Sequence, residues 1–514
     1  VVKKLAFYVL MVLLLVSPTA ASAEGEAPAS QKQPDIDVAA IDRFVQAELV
    51  KAQSPGAAVV IVSGDRVVYT KGFGLADRAS GIPAASTTLF ELGSTSKAFT
   101  GLALLELERE NALRLDDPVT RYIPWLSLTY QGQPAKVTLA HLLHHTSGVP
   151  FASLASIPIS SEEQALEQTV RALSGTALDT PPGDKYQYAT INYDVLGLVI
   201  QEVSGMPYEA YMSGLLQRLG MSSTVPAAQL KDPQRLAKGY KIGFGSPRLY
   251  EAPDYRGNTP AGYLVSNADD IGQWLLLQLG TKSISEAERS IVERSHMPDT
   301  SVGPDANGTY YATGWFVTTD GKELSHQGSN PNFSSYFIMR PQERLGVGVL
   351  ANINSAYTFH IGQGLMSLLR EQEPPPAEAD FYPLLDRIAM ISLGLISVFM
   401  IILAAIAIGI PGQLRRQRRT FVPPKGRRLV GLVAALVLTG ACLWGIGLLL
   451  QTAFAGLPLA VVAVWSPVTI IWFVYALYLF VVIAFLFFLA VWLFPSVKRR
   501  RSGPVLPAPA EEVI

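Results

Sequence analysis

The stretch Glu91-Leu92-Gly93-Ser94-Thr95-Ser96-Lys97-Ala98-Phe99-Thr100 sets three small hydroxyls ahead of one lysine. A serine hydroxyl is a weak nucleophile until a neighbouring base takes its proton, and a lysine that has lost its charge is such a base. Ser94 and Lys97 are the chain's only Ser-x-x-Lys pair. On a helix starting here they share a face one turn apart, whereas Ser96 and Lys97 diverge by about 100°. A helix N-terminus and partial desolvation both favour the neutral amine, and the Ser94 N–H would point out of the helix end, where it could meet an oxyanion. Taken alone, the tetrapeptide is satisfied more simply if Ser94 only caps a helix.

The surrounding pattern supplies elements to hold such a pair. Residues 56–74, "GAAVVIVSGDRVVYTKGFG", carry two β-branched runs around Ser63-Gly64-Asp65, which predicts a hairpin. Apolar residues three and four apart predict helices over 96–110, 162–173 and 192–205. Strand patterns return at 314–320, 332–341 and 344–354, and 356–371 again reads as helix. Strands at both ends with helices between them predict an α+β domain whose sheet joins the two ends of the segment.

The whole chain has 514 residues, 49% hydrophobic and 16% charged, more apolar than a purely soluble protein. A formal net charge of −1 and the lack of a long basic run before residue 414 argue against nucleic acid as a partner. Lys3-Lys4, the apolar run Leu5 to Val16 and Ala21-Ser22-Ala23 are the parts of a secretory signal, so residues 1–23 are expected to be removed and the protein exported. Cys442 is the single cysteine, so no internal disulfide is expected and core burial must stabilise the exported part. Linkers are expected at 24–36 and at 372–384, the second around "EPPPAEAD", with the folded domain over 37–371. Beyond it, 385–497 predicts three membrane helices, 388–410, 429–453 and 470–494, and 498–514 a cytoplasmic tail. Basic clusters at 415–428 and 498–501 should both face the cytoplasm, which puts the domain outside and makes the protein a multi-pass membrane protein in contact with the bilayer. No Asp, Glu, Lys, Arg or His lies within these spans, so they read as an anchor.

Over residues 38–370 the sequence resembles the serine beta-lactamase and penicillin-binding-protein-like hydrolases, the class C beta-lactamase group. The resemblance is carried by the hairpin, "GSTSK", "LRLDDPVTRYIP", "VTLAHLLHHTSGVP", "PPGDKYQYATINYDVLGLVIQEVSG", "YATGWFV" and "SHQGSNPNFSSYF" in that order. The leader and the C-terminal helices also resemble membrane-anchored FmtA-like members. This implies an α+β, beta-lactamase/transpeptidase-like antiparallel sheet with a helical subdomain, followed by the three-helix transmembrane region. It also implies acyl-enzyme chemistry that needs no cofactor and no metal.

The family's second element is Tyr-x-Asn. Counting back from Tyr193-Asp194 places it at Tyr188-Ala189-Thr190, with the tyrosine present and the asparagine replaced. Tyr188 could relay a proton. Thr190 offers one hydroxyl where an amide offers donors and an acceptor, which weakens the expectation of beta-lactam turnover more than that of acylation. A register using Thr190-Ile191-Asn192 would restore the asparagine. The third element is His326-Gln327-Gly328, where Gly328 admits substrate closely and the Ser329 N–H would join that of Ser94 in an oxyanion hole. His326, Gln327, Gly328 and Thr190 are thus expected on the substrate side. His141, His144 and His145 have metal-ligand spacing, but no H-E-x-x-H or further ligand accompanies them, so none is expected to bind metal. Residues 258–277 look like a substrate-rim loop leading into a helix, with Tyr263 exposed or simply packed.

The expectation is an exported, membrane-anchored serine hydrolase acting on cell-wall D-alanyl peptides or esters, or on beta-lactams. The rivals are a penicillin-binding sensor acylated once and a non-catalytic scaffold.

Overall fold

A computed structural model describes residues 37–378, 380–454 and 456–497. The expected leader, the 24–36 linker and the 498–514 tail lie outside the described residues. The chain divides into two compact units, one formed by residues up to Arg387 together with Gln451–Val468, the other by Ile388–Leu450 and the residues from Thr469 onward.

The first unit is built on an antiparallel sheet. Its strand order is Thr309–Tyr311, Phe316–Thr318, Leu324–Asn330, Phe333–Arg340, Leu345–Ala351, Gly56–Ser63, Arg66–Asp77 and Ile82–Pro83. The expected joining of the two ends is present: Gly56–Ser63 pairs with Leu345–Ala351, Ala57 facing Ala351 and Ser63 facing Leu345. That strand is buried along its whole length because both faces of the sheet are covered. Ala58, Val60 and Val62 pack into the helical subdomain, while Ala57, Val59 and Ile61 pack under helices Val38–Lys51 and Tyr357–Leu369. The Gly64 turn closes the predicted hairpin at φ 66°.

The helix that carries Lys97, Ser96–Arg109, lies in the larger core, where Phe99 stacks on Trp274 with ring centroids 3.9 Å apart. Helix Ile191–Ser204 ends in the left-handed cap Gly205, as a Ser-Gly ending predicts. The α-helix begins at Ser96, as the 96–110 pattern predicts, and Gly93 at φ 56° opens a 3-10 turn over Gly93–Thr95 ahead of it, which carries Ser94. One expectation is corrected. The 372–384 linker is too long: helix starts at Phe381, since the proline run that breaks structure ends at Pro376. Of the two placements open to Tyr263 the packed one holds: it is buried, 7% exposed, just before the strand Leu264–Ser266.

A second hairpin, Tyr240–Gly243 with Ser246–Leu249, had no expectation attached. Phe244 and Gly245, both at positive φ, make its two-residue turn.

The second unit contains most of three apolar helices, Phe381–Arg415, Arg427–Ala453 and Val468–Leu493. Each exceeds the roughly 20 residues needed to cross a hydrocarbon core. Pro411 lies inside the first without ending it.

Candidate active site

The 3-10 turn and the first turn of helix Ser96–Arg109 share out the three hydroxyls. Thr95 Oγ1 donates to Leu92 O and meets Ser335 Oγ, each at 2.9 Å, and Ser96 Oγ accepts from Leu264 N at 3.2 Å. Both are therefore committed to packing. Ser94 caps nothing: neither the turn nor the helix has a side-chain cap bond. Its Oγ lies 3.1 Å from Lys97 Nζ instead.

Lys97 is fully buried. Its Nζ also lies 3.0 Å from Thr190 Oγ1 and 2.8 Å from Ala261 O. Burial pushes the ammonium down to about 7, and nearby Asp194 only partly opposes this. All three partners can accept from an ammonium; once burial has made the amine neutral, two of them suffice for its N–H groups and one lone pair is left. With Ala261 O and Thr190 Oγ1 accepting, the Ser94 O–H is the proton within its reach. Asp194 is itself held well above the usual carboxylate range by burial, although Asn258 Nδ2 donates to it at 2.6 Å. Sequence reasoning passed over Asp194 and Asn258. The signal for Asp194 was an acid at the head of the apolar run 195–200.

Tyr188 is hydrogen-bonded to Ser94, and burial raises its phenol above the ordinary value. With Lys97 at about 7, the amine is the stronger candidate base and Tyr188 the candidate proton donor to a leaving group. Behind Tyr188 stands His145, fully buried, its ring 4.2 Å from the tyrosine's by centroid. The rival register is excluded by the same region. Asn192 turns away from Lys97, its Nδ2 3.1 Å from His145 Nδ1 and its Oδ1 accepting from Ser147 Oγ at 3.1 Å. Thr190 takes the place beside Lys97.

The opposite wall is the strand Leu324–Asn330. Its neighbour Phe316–Thr318 pairs only with Leu324 and Ser325, which leaves the edge beyond Ser325 unpaired by that strand. Gly93 and Gly328 let this edge reach the serine turn. A Cβ on Gly93 would stand 2.5 Å from Ser329 N, and one on Gly328 1.9 Å from Leu92 O. Main chain thus packs on main chain, with Ser329 N beside the Ser94 turn. Asn330 Nδ2 secures the crossing by donating to Glu91 Oε2 at 2.7 Å and Gly262 O at 3.0 Å.

His326 is buried on the same face as Gly328, and burial pushes it down to about 3. Its Nδ1–H donates to Gln327 O at 2.7 Å, so Nε2 accepts from Tyr311 OH at 3.1 Å. It is a neutral hydrogen-bonding group rather than a cation. By strand alternation the Gln327 side chain faces the other way from His326, beside a small cavity of about 40 Å³ that Gly328, Ser329, Asn354, Asp380 and Tyr382 also line. The structure therefore brings together Ser94, Lys97, Tyr188, Thr190, His326, Gly328 and Ser329, and sets Gln327 apart. His141, His144 and His145 each have partners of their own, His145 against Tyr188. The Thr138 N–H donates to His141 Nδ1 at 3.3 Å, and His144 Nδ1 lies 3.2 Å from Tyr311 O.

Comparison with known proteins agrees with this arrangement. The beta-lactamase family profile matches residues 41–362. Protein flp of Staphylococcus aureus strain N315 is 34% identical over 322 residues, 62% of this chain and 63% of its own length, so the chain spans less than two thirds of that relative. Esterase EstB of Burkholderia gladioli is 32% identical over 222 residues, 41% of this chain and 56% of its own. Among solved structures, an octameric penicillin-binding protein homologue from Pyrococcus abyssi aligns with a TM-score of 0.58 at 26% identity, covering 69% of this chain and 81% of that one. A class C beta-lactamase shares the fold, with a TM-score of 0.54 at 20% identity over 64% of this chain and 96% of that one.

Proposed function

The chain belongs to the beta-lactamase family, and on that premise we propose that it is an exported, membrane-anchored serine hydrolase that removes D-alanyl groups from cell-envelope esters or peptides. The observation that carries this reading is the buried Lys97 Nζ held by Thr190 Oγ1 and Ala261 O within hydrogen-bond distance of Ser94 Oγ, where an amine made neutral by burial can take the serine proton. Ser94 Oγ attacks the acyl carbon and its proton passes to Lys97. The backbone N–H groups of Ser94 and Ser329 hold the oxyanion. Tyr188 returns a proton to the departing oxygen or nitrogen. Water then attacks the acyl-enzyme, and the same groups run the steps in reverse to free Ser94 and a D-alanyl carboxylate.

Thr190 inclines the substrate toward an ester of free D-alanine. A threonine hydroxyl beside Lys97 has one O–H on the same atom that accepts from the lysine, whereas an amide side chain has two N–H donors and a separate carbonyl acceptor with which to hold an acylated peptide. An esterase among the relatives supports this preference. Placement of the site outside the membrane is supported by Gln451–Val468, which joins the second and third apolar helices and packs as part of the first unit.

The test is turnover by the full chain of a D-alanyl ester, a D-Ala-D-Ala peptide and a fluorescent penicillin, beside Ser94→Ala and Ser96→Ala. The expected outcome is hydrolysis fastest for the ester, lost with Ser94→Ala and kept with Ser96→Ala. Stoichiometric labelling without turnover would favour a sensor, and no reaction with any of the three a binding module.

A further inference from the structure

The unforeseen hairpin Tyr240–Leu249 is gripped along its length. At its root, Tyr240 N donates to Asn332 O at 3.3 Å and to Asn352 O at 2.9 Å. Asn332 Nδ2 donates to Tyr250 O at 2.9 Å and fills the space beside Gly239, where a Cβ would stand 2.1 Å from it. At its tip, Phe244 N and Gly245 N donate to the Asp386 carboxylate at 3.1 and 2.8 Å. In the middle, Lys241 is only 4% exposed, and its Nζ donates to Ala463 O at 3.0 Å and Val464 O at 2.8 Å. Those carbonyls belong to the last turn of the short helix Leu459–Trp465, where carbonyls lack helical partners and attract a donor. The Val468 side chain occupies the space beside Gly243, 2.7 Å from where a Cβ would be.

Asn332 connects this grip to the active site. It lies in the turn after the strand Leu324–Asn330, two residues beyond Asn330, which ties that strand to Glu91 and Gly262, and three beyond Ser329. A continuous run of hydrogen bonds and main chain leads from Ala463 and Val464 through Lys241, Tyr240 and Asn332 to the Ser329 N–H.

We infer that the segment joining the second and third apolar helices is a working part of the catalytic unit, and that Lys241 is a positioning residue through which it fixes the oxyanion turn. This rests on the reading of Ser329 N–H as an oxyanion donor. A donor displaced by a fraction of an ångström still binds the ground-state carbonyl but stabilises the transition state less, so the signature is a fall in kcat with KM kept.

The test uses the full chain in detergent or nanodiscs with a chromogenic acyl ester. The variants are Lys241→Met, replacement of residues 459–465 by a Gly-Ser segment of equal length, and the two combined. Each change alone should lower kcat about tenfold, a part of the loss seen when an oxyanion donor is removed, with KM within about twofold. The combined variant should fall no further than either alone, and the folded fraction should not change. Unaltered kcat, losses that multiply, or a loss matching the fraction unfolded would overturn the inference. If the wild-type chain shows no Ser94-dependent turnover, the catalytic reading fails instead. The link is then read by hydrogen exchange, which must speed up at the amides of residues 329–332 in Lys241→Met and would contradict the inference by staying unchanged.

Discussion

Lys97 and Lys241 are two buried lysines in one unit, and burial brings each ammonium down to about 7. Their surroundings differ in one respect. Lys97 has two acceptors and a serine hydroxyl, so once neutral it has a proton within reach. Lys241 has two main-chain carbonyls and the face of Tyr250, with its nitrogen 4.1 Å from the ring centroid. Both carbonyls only accept, and a depressed lysine with nothing acidic beside it is a fastener. Burial therefore sets the proton affinity, and the partner decides whether that affinity does chemistry.

The comparison can be broken most sharply by removing each amine in turn. Lys97→Met should lower ester turnover by about three orders of magnitude, within the range for loss of a general base, while Lys241→Met lowers it only about tenfold. Equal losses in steady-state kinetics would erase the distinction. A smaller effect is expected at Thr190, whose hydroxyl accepts one of the two Lys97 N–H bonds. Thr190→Val should cost about a factor of five, the net worth of one such bond, and Thr190→Asn should raise breakdown of a penicillin adduct relative to ester turnover.

The smallest effect is one in which the two lysines should agree. Each has a folded-state value near 7 and an unfolded value near 10.4, so between these limits the unfolded chain holds more protons and stability rises with pH. Either Met variant should flatten that rise in thermal unfolding midpoints measured from pH 7 to 10. A slope left unchanged by Lys97→Met would mean that this amine is not depressed.

What the sequence disclosed follows the same division between local and distant partners. Ser94 and Lys97 are three residues apart, so helix spacing picked Ser94 over Ser96 as the partner of Lys97, and the resemblance then made it a nucleophile rather than a cap. The Gly64 hairpin and the apolar spans are local patterns too, and they were legible. Tyr188 and the Gly328 strand needed family resemblance, because nothing in their own neighbourhoods says that they meet Ser94. Lys241 and Val464 are 223 positions apart, and a lysine amid "YKIGFG" looks like any solvated charge. Asp194 was hidden likewise, since its partner Asn258 lies 64 residues away. The helix start at Phe381 was missed because Asp386 and Arg387 look like linker charge, whereas Asp386 is spent on the hairpin tip.

The central claim is that Lys97, neutral by burial, takes the Ser94 proton. Its most direct test is the pre-steady-state rate of Ser94 acylation by a chromogenic ester from pH 5 to 9, with the site of the adduct fixed by mass spectrometry. The rate should climb with pH through a single step near 7 and then level off, and Lys97→Met should lose the step. His326, neutral down to about 3, should add no step of its own. A rate flat across this range, or a step that survives in Lys97→Met, would contradict the account.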